Sequence, residues 1–345
     1  MSSRIERLRE LLEEPLLVTT PVNVRYLTGF ESSNAALLVE PERTLLFSDF
    51  RYAEDGRKVE GVEFLEVERA ILRGIARHVD GRIGFEAPHM TYANWDFLKN
   101  SGLDLVPRSG LVERLRVVKS DEELELIQRA AAIANEAYER LAMETFVGRT
   151  ERDVAYTFDR FLHEAGADGP SFPTTVASGV NGATPHAHTS EKVIERGETV
   201  VVDAGAVVGG YASDCTRTFA TGRLPDELKR AYDVVLEAQI EGLDAVEPGT
   251  TGRDADAAAR AVIERNGLGE RFGHGLGHGV GLLVHEAPTL RPESEDTLAE
   301  NHVVTVEPGV YIPGLGGIRI EDLVVVREGE PLVLTSFTKE LVTVD

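Results

Sequence analysis

The chain has 345 residues, enough for two domains with cores of their own, and its 42% apolar and 28% charged content describes a globular protein without a run long enough to span a membrane. A formal charge of −23 argues against a nucleic-acid partner, because phosphates would be repelled. The single cysteine, Cys215, excludes an internal disulfide and a cysteine-rich zinc site, so any metal must be held by oxygen and imidazole.

In chain order, "MSSRIERLRELLEE" predicts an amphipathic helix with Ile5, Leu8, Leu11 and Leu12 on one side. It lacks the apolar centre of a secretion signal, so the expected location is cytoplasmic. "NAALLVE", "RTLLFSDF" and "RIGFEA" read as short strands separated by turns, giving a small mixed α/β unit over residues 1–118. Ser120 followed by Glu123 is a capping-box pattern, and Leu124, Ile127, Ala131, Ala134, Tyr138 and Leu141 recur at helical spacing. A second domain, 119–345, therefore opens on a helix at about residue 121. Another helix is expected after Thr150 with Gly166 as its stop, and two more near Pro225 and Asp254.

Two later segments resemble each other. "TVVVDAGAVVGGYASDCTRTFA" and "HVVTVEPGVYIPGLGGIRIEDLVVV" each read as strand, glycine-rich turn, strand, with one acid on either side of the turn. Asp203 and Asp214 are centred near position 208, and Glu307 and Glu321 on 314, so each pair is expected to sit face to face across its hairpin. The valines preceding Asp203 and Glu307 imply buried strands, where adjacent carboxylates repel. Neither hairpin holds a lysine, and Arg217 with Arg319 cannot neutralise four acids. Divalent ions can, and oxygen ligation with some imidazole suits Mn²⁺, Co²⁺, Fe²⁺ or Zn²⁺. One nitrogen ligand would complete such a site, and "GHGLGHGVGLLVHEAP" offers His274, His278 and His285 among glycines that permit close backbone approach.

These segments, with "ASGVNGATPHA" before them, resemble the pita-bread metallopeptidase family (M24) in content and order. "NVRYLTGF", "SDFRYAE" and "LRVVKSDEELELI" resemble the N-terminal part of its Xaa-Pro-cleaving branch. The resemblance implies an α/β (α+β) protein. A smaller creatinase-like α/β domain would precede a C-terminal pita-bread (creatinase/aminopeptidase-like) domain with a pseudo-twofold repeat. It implies two divalent ions, Mn²⁺ or Co²⁺ ahead of Zn²⁺ or Fe²⁺, held by Asp203, Asp214, His278, Glu307 and Glu321, with Asp214 and Glu321 bridging. It makes His186 and His274 pocket residues, His285 the group facing the scissile carbonyl, Glu307 a proton shuttle as well as a ligand, and Arg319 a feature of the Xaa-Pro branch. The implied substrate is a proline-containing peptide and the implied assembly a homodimer. His274 with Arg319 places Xaa-Pro aminopeptidase ahead of Xaa-Pro dipeptidase (prolidase). Some prolidases carry an arginine four positions beyond the histidine of the His-Glu pair, where this chain has Thr289, its nearest arginine being Arg291. A metal-free enzyme or a non-catalytic binding protein on the same fold is the remaining alternative, and either is expected to lack some of the five ligands.

Overall fold

The computed structural model describes residues 3–345, and it divides into two compact units, Met1–Arg116 and Val117–Asp345. The first unit is built on one six-stranded sheet of β1 (Leu16–Val18), β2 (Ala35–Val39), β3 (Thr44–Ser48), β4 (Glu63–Glu66), β5 (Arg82–Glu86) and β6 (Asp104–Arg108), ordered β4-β3-β2-β1-β5-β6. Its helices are α1 (Arg4–Arg9), α2 (Pro21–Thr28), α3 (Ala53–Gly56), α4 (Ile71–His78), α5 (Tyr92–Asn100) and α6 (Glu113–Val117). Leu17, Leu38, Phe47, Ile75 and Ile83 form part of its core. The opening helix is shorter than its pattern suggests. Ile5 and Leu8 are buried, but Leu11 is exposed and lies past the helix end. Pro15 disfavours helix at the residue before it, and the chain turns instead into β1.

The second unit opens with α7 (Asp121–Leu141) and α8 (Glu151–Glu164), each started by a reciprocal capping box, Ser120 with Glu123 and Thr150 with Asp153. All six apolar residues expected on the inner face of α7 are buried. Strands β7 (Gly169–Pro170), β8 (Thr175–Ser178), β9 (Thr199–Ala204), β10 (Ala206–Val208), β11 (Tyr211–Ala212) and β12 (Cys215–Ala220) follow. The same order then repeats: α9 (Asp226–Asp244) and α10 (Gly252–Arg265), then β13 (Gly277–Gly279), β14 (Glu286–Leu290), β15 (Val303–Val306), β16 (Gly309–Ile312), β17 (Gly316–Arg319), β18 (Asp322–Val325) and β19 (Leu332–Val333). Each half is thus a helix pair followed by antiparallel strands, with helices packed over sheet through Val235, Ala238, Val304 and Val324 in one cluster and Tyr138, Phe158, Val202 and Phe219 in another. No helix among the described residues is long and apolar enough to cross a membrane.

The two hairpins interlock. The Glu321 N–H donates to the Thr216 carbonyl at 3.1 Å, and the Thr218 hydroxyl both accepts from the Arg319 N–H at 3.0 Å and donates to the Arg319 carbonyl at 2.9 Å. Strand ends carrying acids from both halves are held side by side by these bonds.

Candidate metal centre

The two hairpins present their acids differently. In the second, Val306 pairs with Asp322 and Gly309 with Arg319, a register that sets Glu307 opposite Glu321 about a turn centred on Gly314, as the spacing predicts. In the first, Asp203 pairs with Thr216 rather than with Asp214. The expectation of two directly facing aspartates is therefore corrected. Asp214 is diagonal to Asp203, two residues along and on the same face. The cause is the turn. Val208 pairs with Tyr211 around Gly209 and Gly210, whose φ values of 58° and 85° are those that a two-residue hairpin turn of mirror-image type requires. That turn is centred later than the middle of "GAVVGG".

The histidine comes from β13. A Cβ at Gly277 would stand 2.0 Å from the Thr305 carbonyl oxygen, so only glycine lets β13 lie this close to β15. The His278 N–H donates to the Thr305 hydroxyl at 3.1 Å, and that hydroxyl donates to Glu307 Oε1 at 3.1 Å. His278 Nε2 lies 3.3 Å from Glu307 Oε1 and 3.7 Å from Asp214 Oδ2. Donor atoms of Asp214, His278 and Glu321 lie within 4.8 Å of one another. Glu321 Oε2 accepts from the Thr216 hydroxyl at 2.7 Å, and Asp203 Oδ2 from Arg319 Nη2 at 2.6 Å.

Buried carboxylate oxygens remain without any hydrogen-bond partner: Asp203 Oδ1, Asp214 Oδ1 and Glu321 Oε1. Such atoms cost free energy unless something positive meets them. Burial, and then the charges of the neighbouring acids, pushes Asp214 and Glu321 well above the usual carboxylate range. Burial also raises Asp203, against the opposing charge of Arg319. At Glu307 burial is outweighed by the His278 hydrogen bond and charge, which bring it down to about 2, while His278, favoured by the same contact over its own burial, rises to about 9. Arg217 directs its hydrogen bonds away from the four carboxylates of the site. Its Nη2 is paired with buried Asp322 at 2.8 Å, and its Nη1 donates to the Glu321 carbonyl. One guanidinium and one imidazole therefore face four carboxylates, and the partnerless oxygens with His278 fit a divalent-ion site of oxygen and imidazole donors.

These residues open onto a cavity of about 760 Å³, also lined by His186, His188, His274, His285, Tyr311 and Arg291. The His285 ring lies 4.3 Å from that of His278, and burial together with His278 holds its pKa below the ordinary value, leaving a neutral imidazole. His274 lines the wall with both ring nitrogens engaged: Nδ1 lies 2.7 Å from the Gly275 carbonyl and so carries the proton, and Nε2 accepts from the Tyr311 hydroxyl at 2.9 Å. Arg319 Nη1 donates to that same hydroxyl at 2.9 Å, so Tyr311 links His274 to the Arg319–Asp203 pair. Tyr311, Thr216 and Thr305 have no signal in the sequence, since hydroxyls carry no spacing rule and Thr216 meets Glu321 and Arg319 from about a hundred residues away. His188 and Arg291 reach the cavity as well. Cys215, next to Asp214, turns to the opposite side, fully buried among Val200, Val202 and Phe219.

A model described as metallopeptidase family M24 matches residues 125–328, and one described as the creatinase/prolidase N-terminal domain matches residues 4–118. The chain is 35% identical to an Xaa-Pro dipeptidase of Pyrococcus furiosus, over 99% of its own length and 100% of that protein. It superimposes on the solved Xaa-Pro dipeptidase from Bacillus anthracis with a TM-score of 0.95 at 40% identity, covering 99% of both chains. An X-Pro aminopeptidase structure from Thermotoga maritima gives 0.91 at 32% identity, covering 99% of this chain and 100% of that one.

Proposed function

The chain belongs to metallopeptidase family M24, and from that premise we propose that it is a metal-dependent Xaa-Pro peptidase acting first on dipeptides. The observation that carries the hydrolytic reading is the set of three partnerless carboxylate oxygens gathered with His278 in one cavity. Asp203, Asp214, His278, Glu307 and Glu321 would hold two divalent ions. When bound, such a pair supplies Lewis acidity and an acidified water.

The remaining chemistry belongs to the chain's own groups. An Xaa-Pro bond is a tertiary amide, so its nitrogen has no hydrogen and must be protonated before it leaves. Glu307, an ionised carboxylate at the cavity, takes a proton from the attacking water and passes it to that nitrogen. Neutral His285 donates its ring N–H to the carbonyl oxygen as negative charge develops there. Buried acids around the centre favour the free α-amine of the substrate, which confines cleavage to the peptide N-terminus. His186 supplies a further imidazole at the wall, and the Arg319–Asp203 pair fixes one acid in place.

The preference for a dipeptide rests on Arg291. It is exposed, lies on the cavity wall and offers a guanidinium to a C-terminal carboxylate. The sequence places the aminopeptidase reading first on His274 with Arg319, Thr289 at the expected arginine position weakening the dipeptidase; Arg291, two residues further on, lies on the cavity wall. The names of the Pyrococcus and Bacillus relatives favour the same choice. An Xaa-Pro aminopeptidase is the second reading, favoured by a cavity with room beyond two residues. Product analysis on Xaa-Pro beside Xaa-Pro-Yaa decides. Cleavage of the dipeptide with loss of that activity in Arg291→Ala supports the first reading, and faster cleavage of the tripeptide supports the second. Activity that persists after complete removal of metal by a chelator overturns both.

A further inference from the structure

We propose that Glu151 is the positioning residue for the stretch of cavity wall that carries His186 and His188, an inference resting on the reading of this cavity as the peptide site. Glu151 is the first residue of α8, and it is completely buried although acidic. Its Oε1 accepts from the Ser178 N–H at 2.7 Å, the Ser178 hydroxyl at 2.9 Å and Asn181 Nδ2 at 3.2 Å. Its Oε2 accepts from the Ser190 N–H at 3.0 Å, the Ser190 hydroxyl at 2.7 Å and Asn181 Nδ2 at 3.2 Å. One carboxylate thus grips both ends of segment 178–190, one oxygen to each end, with Asn181 spanning the two.

Between these ends the chain passes along the cavity through Pro185, His186, Ala187, His188 and Thr189. Neither imidazole has a hydrogen-bond partner among the described residues, so the place of each ring follows from the backbone beneath it. That backbone is held near its far end by Thr189, whose hydroxyl donates to the Thr174 carbonyl at 3.0 Å. In its middle the segment makes turn bonds to itself, from the Ala183, Thr184 and Ala187 N–H groups to the carbonyls of Val180, Asn181 and Thr184, and its hydrogen bond from outside is a long one, Arg319 Nη1 to the Pro185 carbonyl at 3.4 Å. Burying a carboxylate is unfavourable unless every lone pair is met by a donor, and here every partner is an N–H or an O–H. An acid is the residue type that accepts from both ends at once. Glutamine would turn an NH₂ group toward one set of donors.

The test uses full-length Glu151→Gln protein, stripped and then reloaded with Co²⁺. Three quantities are read: Co²⁺ bound per chain, hydrogen exchange of amides 178–190, and KM and kcat on an Xaa-Pro dipeptide. Positioning predicts unchanged Co²⁺ uptake, exchange faster by ~10-fold or more across that segment, and kcat/KM lower by roughly 10- to 100-fold, mainly through KM. A folded variant in which the segment stays protected overturns the proposal, and so does loss of Co²⁺ with KM unchanged. If Glu151→Gln does not fold, Ser178→Ala and Ser190→Ala each remove one hydroxyl and keep the backbone bond. Faster exchange confined to 178–190 in either supports the clamp, and unchanged exchange in both overturns it. A wild-type protein that binds Co²⁺ yet cleaves no Xaa-Pro peptide ends the functional reading alone, because the exchange data still decide what Glu151 holds.

Discussion

Asp214 concentrates the conflict between stability and function. Without metal it is a buried carboxylate beside Glu321 and Asp203, with one oxygen unmet. Asp214→Asn replaces an acid that burial and its acidic neighbours destabilise with a neutral amide of the same shape, so the metal-free protein should melt higher, by roughly 2–4 °C for ~1 kcal/mol in a domain of this size. The same change should lower metal-dependent Xaa-Pro hydrolysis by more than ~100-fold. Thermal melts with and without chelator, beside an activity assay, check this, and a variant that melts lower in chelator contradicts it. His302 sets an acid limit of a different kind. Burial, followed by the charge of Lys119, lowers it to about 4, and its Nδ1 accepts the Ala299 N–H at 3.2 Å. Above its ordinary value near 6.5 the ring is neutral in both folded and unfolded chains. As pH falls from about 6.5 towards about 4 the unfolded chain takes up the proton first, so stability drops across that window. Urea midpoints at pH 7 and pH 4.5 should differ less in His302→Gln than in wild type.

At the scale of elements, the site depends on how closely β13 lies against β15. Gly277→Ala places a methyl on the Thr305 carbonyl, and backbone rather than a flexible side chain must give way. Overpacking of this kind costs ~1–3 kcal/mol. The displaced strand carries His278, so metal affinity should fall further than the melting temperature, which metal titration beside thermal unfolding measures. Legibility in the sequence follows the same local physics. The starts of α7 and α8 are readable because a capping box is written within four residues. The second hairpin is readable because one glycine, Gly314, marks a three-residue turn between Ile312 and Gly316. The first is misplaced because "GAVVGG" offers several turn centres, and only positive φ at Gly209 and Gly210 selects one. β1 escapes notice because three buried residues after a proline have no period to detect. Glu151 reads as a helix-start acid, and its partners at 178 and 190 are adjacent only in the fold.

For the whole molecule, each unit has a core of its own, and all five candidate ligands lie in Val117–Asp345. Metal at about 100 times its dissociation constant stabilises what it binds by roughly 2.7 kcal/mol. Calorimetry should therefore show a chelator lowering the transition of the larger unit and leaving that of Met1–Arg116 in place. The four carboxylates come as two from each half of a repeat whose hairpins share hydrogen bonds at Thr216 and Thr218, so neither half holds a complete set. The one thiol of the chain adds something practical. Cys215 is sealed from solvent one residue from Asp214, and burial raises its pKa further. A disulfide reagent can find it only when the first hairpin comes away from the core. The wild-type protein thus carries its own clock: the rate at which colour develops in such a reagent counts openings of the first hairpin, and saturating Mn²⁺ should slow it.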